Sequence, residues 1–184
     1  MSRVLATCVL QSHPTTPCPA IAALGAQISQ ADDMSWEVQF ALMGKPGDLV
    51  VPVQAPRVHT DELWRTTCFE LFIGRAGDSY AELNLSPSGA FAAYHFDHYR
   101  TGMTPIPLPA PEIDLVGGRE RMTLTARFPE DSLPWDYSGH LGLSAVIEEK
   151  SGAKSYWALA HPPGKPDFHH RDCFALSLPP LNGA

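Results

Sequence analysis

Apolar and polar residues alternate along most of this chain with the two-residue period of β-strands. In residues 35–44 (SWEVQFALMG), for example, almost every second side chain is large and apolar. Turn residues interrupt the pattern at short intervals, and no apolar helical period extends beyond two turns. Segments with strand character are 4–11, 20–30, 35–44, 48–53, 66–74, 79–87, 90–96, 112–118, 120–128, 139–150, 154–162 and 173–180.

This spacing predicts a single all-β domain over residues 1–184, an antiparallel β-sandwich or jelly roll of about ten strands. The 18 prolines and 14 glycines favour short strands joined by turns. Pro52 restricts segment 48–53 to a sheet edge, and 101–111 is expected to be a proline-rich loop without regular structure. Hairpins are predicted around Gly117–Gly118 and Ser151–Gly152.

Residues 61–96 contain polar side chains where a buried sheet would carry apolar ones. In segment 66–74, Glu70 and Leu71 lie on opposite strand faces. In segment 79–87, Glu82 and Asn84 share the face opposite the leucines. Such a face either meets water or lines a ligand cleft. The two glutamates would repel each other if they were neighbours, unless a cation such as Arg100, Arg65 or Arg127 lay between them.

Charge and composition exclude several partners. The net charge is −7 and the cations are scattered, so we expect no nucleic-acid partner. Apolar runs are too short for a membrane helix, and the N-terminus lacks a secretory pattern, which together predict a cytoplasmic protein with no membrane partner. The four cysteines have no CxxC spacing and are expected to be reduced thiols, with Cys68 and Cys173 in the core. The oligomeric state stays open.

Three blocks carry a family resemblance: DELWRTTCFELFIG, YAELNLSPSGAFAAYHFDHYRTGM and YWALAHPPGKPDFHHRDCFALSL. Together they resemble the DOMON-like group of bacterial proteins related to family 9 carbohydrate-binding modules, from about Trp36 to Leu178. The resemblance implies an immunoglobulin-like or jelly-roll β-sandwich whose concave sheet binds a sugar or, in other branches, haem.

Sugar-binding members of that family pair a tryptophan with a glutamate, and Trp64 and Glu70 stand in that relation here. An indole stacks on the apolar face of a pyranose, and a carboxylate accepts hydrogen bonds from its hydroxyls. Where the family has a sugar-binding arginine, this chain has Glu82, which reverses the charge. Phe168 and Trp157 are the candidates for the second aromatic of the sugar clamp.

Each of these residues also has a purely structural interpretation. Trp64 could close one end of the fold, and Glu70 and Glu82 could lie on a solvated face or form a buried cluster with an arginine. The histidines of the C-terminal block, His161, His169 and His170, lie beside carboxylates and suggest a divalent metal. Without an HxH or HExxH spacing, a loop histidine that satisfies backbone groups is the preferred interpretation.

The leading prediction is a non-catalytic binding module for a carbohydrate or other small polar ligand, with no cofactor. The residues expected around its cleft are Trp64, Glu70, Glu82, Asn84, Arg100, Trp157 and His169. One alternative is a haem-binding redox or sensor domain, for which the available axial ligands are Met103, Met122, His95, His98 and His169. A second alternative is a glycoside hydrolase with Glu70 and Glu82 as paired carboxylates.

Overall fold

The computed structural model describes residues 2–129, 132 and 137–178, and these residues form an all-β fold. Its helices are 3₁₀ turns of three residues, such as Leu63–Arg65 and Arg171–Cys173. The described residues form twelve strands: β1 Arg3–Ser12, β2 Ile21–Gln30, β3 Trp36–Gly44, β4 Cys68–Arg75, β5 Tyr80–Leu85, β6 Phe91–Phe96, β7 Thr104–Pro105, β8 Glu112–Gly117, β9 Arg121–Phe128, β10 Tyr137–Glu148, β11 Lys154–Ala158 and β12 Leu176–Ser177.

The strands form one continuous, curled antiparallel sheet in the order β7-β6-β5-β4-β10-β11-β1-β2-β3-β9-β8, with β12 paired to β10. The long strand β1 makes the sheet continuous. Residues Arg3–Leu10 pair with β2, whereas Gln11 and Ser12 pair with β11. We call β1, β2, β3, β9 and β8 the back half of the sheet, and β11, β10, β4, β5, β6 and β7 the front half.

The two halves enclose one apolar core. Alternate residues of the back strands, such as Phe40 on β3, point toward the inner face of the front half, where Phe69 and Leu71 of β4 and Leu83 of β5 are almost fully buried. The rings of Phe40 and Phe69 are 5.0 Å apart between centroids. Burial of these side chains, at roughly 25 cal/mol per Å² of apolar surface, supplies the main driving force for the curl.

The front half has a second buried face, which we call the outer face. Phe72, Tyr80 and Phe96 of β4, β5 and β6 pack there against Phe168 and Phe174. The last two residues belong to the segment 159–175, which follows β11 and crosses over the sheet. We call this segment the cover. The cover therefore shields this part of the outer face from water, and β4 is buried along nearly its whole length.

Close approach of the cover depends on a glycine in β10. A Cβ atom at Gly142 would lie 3.1 Å from the Phe174 ring and 3.2 Å from both the Cys173 carbonyl oxygen and the Phe72 Cβ. Most residues larger than glycine would push the cover away from the sheet.

Most predicted elements are confirmed. Segment 20–30 is strand β2, and the predicted hairpins are formed by β8 with β9 and by β10 with β11. All four cysteines are free, and Cys68 and Cys173 are buried. In the described residues, no helix has the length and hydropathy required to cross a membrane.

Three expectations need correction. The edge strand predicted at 48–53 is only a single bridge between Leu49 and Glu149. The loop 101–111 contains the two-residue strand β7, and segment 173–180 contributes only β12, with its last two residues outside the described part of the chain. The strand count exceeds ten because pieces of two residues are too short to give a periodic pattern.

A candidate ligand-binding cleft

A cleft of about 800 Å³ opens on the outer face of the front half, between β4, β5, β6, β11 and the cover. Its volume lies within the range of small-molecule sites. Its acidic lining residues are Asp61, Glu62, Glu70 and Glu82, and its aromatic ones are Trp64, Tyr94, Phe96, Tyr156 and Phe168. The other lining residues are Arg100, Met103, Val146, Pro166 and His169.

Strand register places the two glutamates at the floor of the cleft. Glu70 on β4 pairs with Asn84 on β5, and Glu82 pairs with Phe72, so Glu70 and Glu82 are diagonal neighbours on one face. Diagonal partners in an antiparallel pair lie roughly 7–8 Å apart, within reach of long side chains. Glu70 is 3% exposed and Glu82 is 5% exposed, a degree of burial that is rare for glutamate.

Each glutamate receives one hydrogen bond from a neighbouring side chain. The Ser144 hydroxyl donates to Glu70 Oε2 at 2.9 Å, and the Asn84 amide donates to Glu82 Oε1 at 2.7 Å. The second oxygen of Glu82 faces His169, whose Nε2 is 3.7 Å away, which is too long for a hydrogen bond. The described protein groups therefore leave acceptor capacity on both carboxylates at the cleft floor.

Burial makes these carboxylates hard to ionise. Loss of solvation, and next the repulsion from Glu82, raises the pKa of Glu70 to about 8. Loss of solvation also raises the pKa of Glu82, against the lowering effects of the Asn84 hydrogen bond and of the Arg100 charge. Since the two groups interact, they titrate as a pair, and the pair holds a proton near neutral pH.

His169 is held over the glutamates by a short chain of hydrogen bonds. The Arg100 backbone N–H donates to the Tyr80 hydroxyl at 3.1 Å, and that hydroxyl lies 2.7 Å from His169 Nδ1. Since the hydroxyl already accepts from Arg100, we infer that it donates its own proton to Nδ1, which leaves Nε2–H directed at Glu82. Burial, and next the Arg100 charge, lowers the pKa of His169 to about 4, so the ring is neutral.

Arg100 lines the rim of the cleft without neutralising its floor. Its guanidinium donates to Asp167 Oδ1 at 2.8 Å, and Tyr99 donates to the other oxygen of the same carboxylate. Among the described residues, Arg100 forms no ion pair with Glu70 or Glu82. The structural alternative of a closed Glu–Arg–Glu cluster is therefore wrong, although the Arg100 charge lowers the pKa of both glutamates at longer range.

The walls of the cleft are aromatic. Trp64 belongs to the 3₁₀ turn Leu63–Arg65, and its side chain is about half exposed, with the Arg65 guanidinium 5.5 Å from its ring. The rings of Tyr156 on β11 and Phe168 in the cover are neighbours, with centroids 6.0 Å apart. The cleft thus combines flat apolar surfaces with carboxylate acceptors, the two chemistries that a ring-shaped polar ligand requires.

The structure brings five of the predicted residues to the cleft: Trp64, Glu70, Glu82, Arg100 and His169. Asn84 lies beside them, fully buried, where it orients Glu82. Trp157 requires correction. It is buried in the main core, on the opposite face of β11, with its indole N–H donating to Ser155. Phe168, the other candidate for the second aromatic, lines the cleft.

Sequence reasoning missed several lining residues that carried a usable signal. Tyr94 pairs directly with Glu82 across β5 and β6, so it lies on the same face. Tyr156 precedes Trp157, and strand alternation puts it on the face that Trp157 does not occupy. Asp61 accepts a hydrogen bond from the Tyr94 hydroxyl but belongs to a loop, where no periodic pattern marks it.

The residues considered for a metal do not converge. His161 Nε2 contacts the Gln11 carbonyl oxygen at 2.8 Å, whereas His170 lies 3.5 Å from Asp172 on the surface. In the described ranges, no group of three or more His, Cys, Asp or Glu side chains has an arrangement that could hold a metal ion. Of the candidate haem ligands, Met122 is buried in the main core, while Met103 and His169 line the cleft.

Comparison with known proteins adds information on the fold. No protein-family model matches the chain, and no curated protein matches its sequence. A solved structure from Bacteroides uniformis ATCC 8492, described as a "putative carbohydrate-binding protein", matches with a TM-score of 0.61 at 11% identity. The match covers 92% of this chain and 84% of the other. At that identity, the likeness establishes a shared fold.

Proposed function

We propose that this chain is a non-catalytic binding module for a carbohydrate, and that the ligand occupies the cleft on the outer face of the front half. The observation that carries this proposal is the position of Glu70 and Glu82. Both are buried at the floor of a cavity of about 800 Å³, and both retain acceptor capacity toward it. Buried polar groups are normally satisfied within the protein, so a ligand or water would complete them.

The geometry suggests how a sugar would bind. The exposed ring of Trp64 would stack on the apolar face of a pyranose, with Phe168 of the cover on another wall. Hydroxyl groups would donate to the free carboxylate oxygens and bridge the 3.7 Å gap between Glu82 and His169. A protonated Glu70 would also donate a hydrogen bond, which suits a ligand that carries both donors and acceptors.

Two further considerations support the proposal. The structural neighbour is described as a "putative carbohydrate-binding protein". The resemblance of residues 61–74, 80–103 and 156–178 to DOMON-like proteins and family 9 modules implies a similar use. We accordingly propose a DOMON-like β-sandwich as the class of this fold. The core between the back and front halves supports that assignment.

We prefer binding to hydrolysis because Glu70 and Glu82 have similar environments, which do not distinguish an acid from a base. Glycosidases need one carboxyl group protonated and its partner ionised, which requires environments that push the two pKa values apart. Here burial raises the pKa of both Glu70 and Glu82. Both are buried, and each accepts one hydrogen bond from a described neighbouring side chain, so their environments are alike.

Isothermal titration calorimetry against neutral monosaccharides and disaccharides tests the proposal. We expect saturable binding that weakens by about tenfold or more in Trp64→Ala, because the stacking surface is lost. Val116→Ala, at another exposed apolar residue on β8, is the matched control and should bind like wild type. Absence of binding at millimolar concentrations of every sugar, or an equal effect of both variants, would contradict the proposal.

A further inference from the structure

We propose that the cleft selects a positively charged carbohydrate, an amino sugar whose ammonium group binds between Glu70 and Glu82. This inference rests on the proposed function and specifies its ligand class. It depends on three features of the cleft: an unbalanced negative charge, unused acceptors at the floor, and aromatic walls.

The charges that face the cleft do not cancel. Its acids are Asp61, Glu62, Glu70 and Glu82, and its one lining cation is Arg100. Arg100 is already paired with Asp167 at 2.8 Å, outside the pair of buried glutamates. Glu62 is paired with Arg65 at 2.6 Å, on the exposed rim. No described cation is therefore paired with the two carboxylates that lie deepest.

The unused acceptors match the donors of an ammonium group. Glu70 and Glu82 each accept one hydrogen bond from the described protein groups, from Ser144 and Asn84 respectively. A carboxylate has about four acceptor sites, whereas an ammonium group presents three N–H donors and no acceptor. Because both glutamates are at least nine-tenths buried, a hydrogen-bonded cation between them would be shielded from solvent.

The walls also favour a cation. Tyr94 and Phe96 of β6, Tyr156 of β11 and Phe168 of the cover all border the same cavity. The face of an aromatic ring attracts a cation within about 6 Å of its centroid, and this attraction is stronger in a desolvated site. A neutral hexose would gain stacking on these rings but no charge attraction.

Binding of a cation should release a proton from the glutamate pair. Near neutral pH the pair holds a proton, because burial and mutual repulsion raise the pKa of Glu70 to about 8. An ammonium group beside both carboxylates favours their ionised forms, so the proton leaves for the buffer as the amino sugar binds. A neutral sugar offers no such charge, and its binding should release no proton.

Other titratable groups around the pair do not account for such a proton. Burial raises the pKa of Cys68, Tyr80 and Tyr94, and it lowers the pKa of His169 to about 4, so all four are neutral where Glu70 titrates. Asp167 on the cover has a lowered pKa and stays ionised. The carboxylates of Asp61 and Glu62 and the phenol of Tyr156 complete the surroundings.

Calorimetry in slightly acidic buffer, with the full chain and matched sugars, tests the inference. Glucosamine is compared with glucose and N-acetylglucosamine, which are neutral, and with ethanolamine, an amine without a sugar ring. We expect glucosamine to bind about tenfold or more tighter than either neutral sugar. Titrations in two buffers of different ionisation enthalpy should show net proton release for glucosamine alone among the three sugars.

Two variants separate the charge effect from a loss of folding. Glu70→Gln keeps the shape of the side chain and should reduce both the preference for glucosamine and the proton release. Glu112→Gln, the same substitution on the exposed edge strand β8 and outside the cleft, should preserve both. A thermal melt with an unchanged folding transition would show that each variant is folded.

These measurements distinguish failure of the amino-sugar proposal from failure of the carbohydrate-binding function on which it rests. Equal affinity for glucose and glucosamine, or binding of glucosamine without proton release, would overturn the inference and leave the carbohydrate module intact. Binding of ethanolamine with no binding of any sugar would overturn both. A preference for glucosamine that survives in Glu70→Gln would also overturn the placement of the ammonium between the two glutamates.

Discussion

The two faces of the front half are buried to nearly the same extent but have different chemistry. Leu71 on the inner face is 2% exposed, and its neighbour Glu70 on the outer face is 3% exposed. The inner face packs against the back half as one apolar core. Part of the outer face packs against the cover. Another part borders an open cavity whose floor is formed by two glutamates.

This difference shows that burial alone does not identify a core. An apolar side chain gains stability from burial, whereas a buried carboxyl group loses solvation and must recover it from neighbours. Each of the two glutamates has one such neighbour, Ser144 or Asn84. The outer face therefore carries an energetic cost that the inner face does not, and a cost of this kind is common at functional sites.

The largest expected difference between the two faces lies in how a substitution on each changes the free energy of unfolding. Leu71→Ala should lower the free energy of unfolding by about 3 kcal/mol, because it leaves a cavity in a packed core. Glu70→Gln, one residue away and equally buried, should be neutral or stabilising, since it removes an ionisable group whose charged form burial disfavours. Urea denaturation monitored by fluorescence measures both. Leu71→Met, which conserves volume, is the control for Leu71.

If Glu70→Gln destabilised the protein as much as Leu71→Ala does, the outer face would be an ordinary core, and the comparison would fail. If Leu71→Ala cost less than about 1 kcal/mol, the inner face would not be closely packed.

A smaller effect should appear in the pH dependence of stability. The pKa of Glu70 is about 8 in the folded state against an ordinary 4.5, so between these values the folded state holds a proton that the unfolded state has lost. The contribution of Glu70 to the free energy of unfolding is fully present below about pH 4.5. It is lost as the pH rises from there through about 8. His169 acts in the opposite direction, but only between about 4 and 6.5.

The free energy of unfolding should therefore fall by up to about 2 kcal/mol as pH rises from about 6.5 to about 8. Denaturation curves at several pH values measure this slope, and Glu70→Gln should flatten it. An inner-face variant such as Leu71→Met should keep the wild-type slope. Equal slopes in wild type and Glu70→Gln would show that Glu70 is ionised in the folded state.

The sequence predicted the two faces because strand alternation is a local property. Knowing that segments 66–74 and 79–87 were strands was enough to place Glu70 and Glu82 on one face and the leucines on the other. The same reasoning could not tell which face of a strand pointed into the main core. For β11 that choice depends on the pairing of its Trp157 with Ala145 of β10, a tertiary contact. Trp157 was misplaced for this reason.

The path of the cover over the outer face could not be predicted from local patterns, although His169 and Phe168 were named as candidates for the cleft. Its cleft-lining residues Phe168 and His169 lie in an irregular segment with prolines, which has no hydrophobic period. Its position over the sheet is fixed by contacts such as Phe174 against Phe72, whose rings are 5.6 Å apart, and by Gly142 on another strand. These contacts join residues roughly 30 to 100 positions apart, so local patterns contain no record of them.

The smallest expected effect concerns the hydrogen bonds that hold the cover to the outer face. Tyr80→Phe removes the hydroxyl that lies between the Arg100 N–H and His169 Nδ1, with little change in shape. It should cost about 1–2 kcal/mol of stability, because two partly buried groups lose their partner. The ring of His169 would then be free to rotate away from Glu82, and sugar affinity should weaken with it.

The matched control is Tyr156→Phe, which alters another phenol on the outer face, one for which the described residues show no side-chain hydrogen bond. It should leave stability within about 0.5 kcal/mol of wild type. Chemical denaturation and histidine NMR shifts measure the two variants, since a changed His169 environment is expected only in Tyr80→Phe. If both variants matched wild type in stability and in the His169 signal, packing alone would hold the cover, as it does the inner face. The two faces would then differ only in the glutamates.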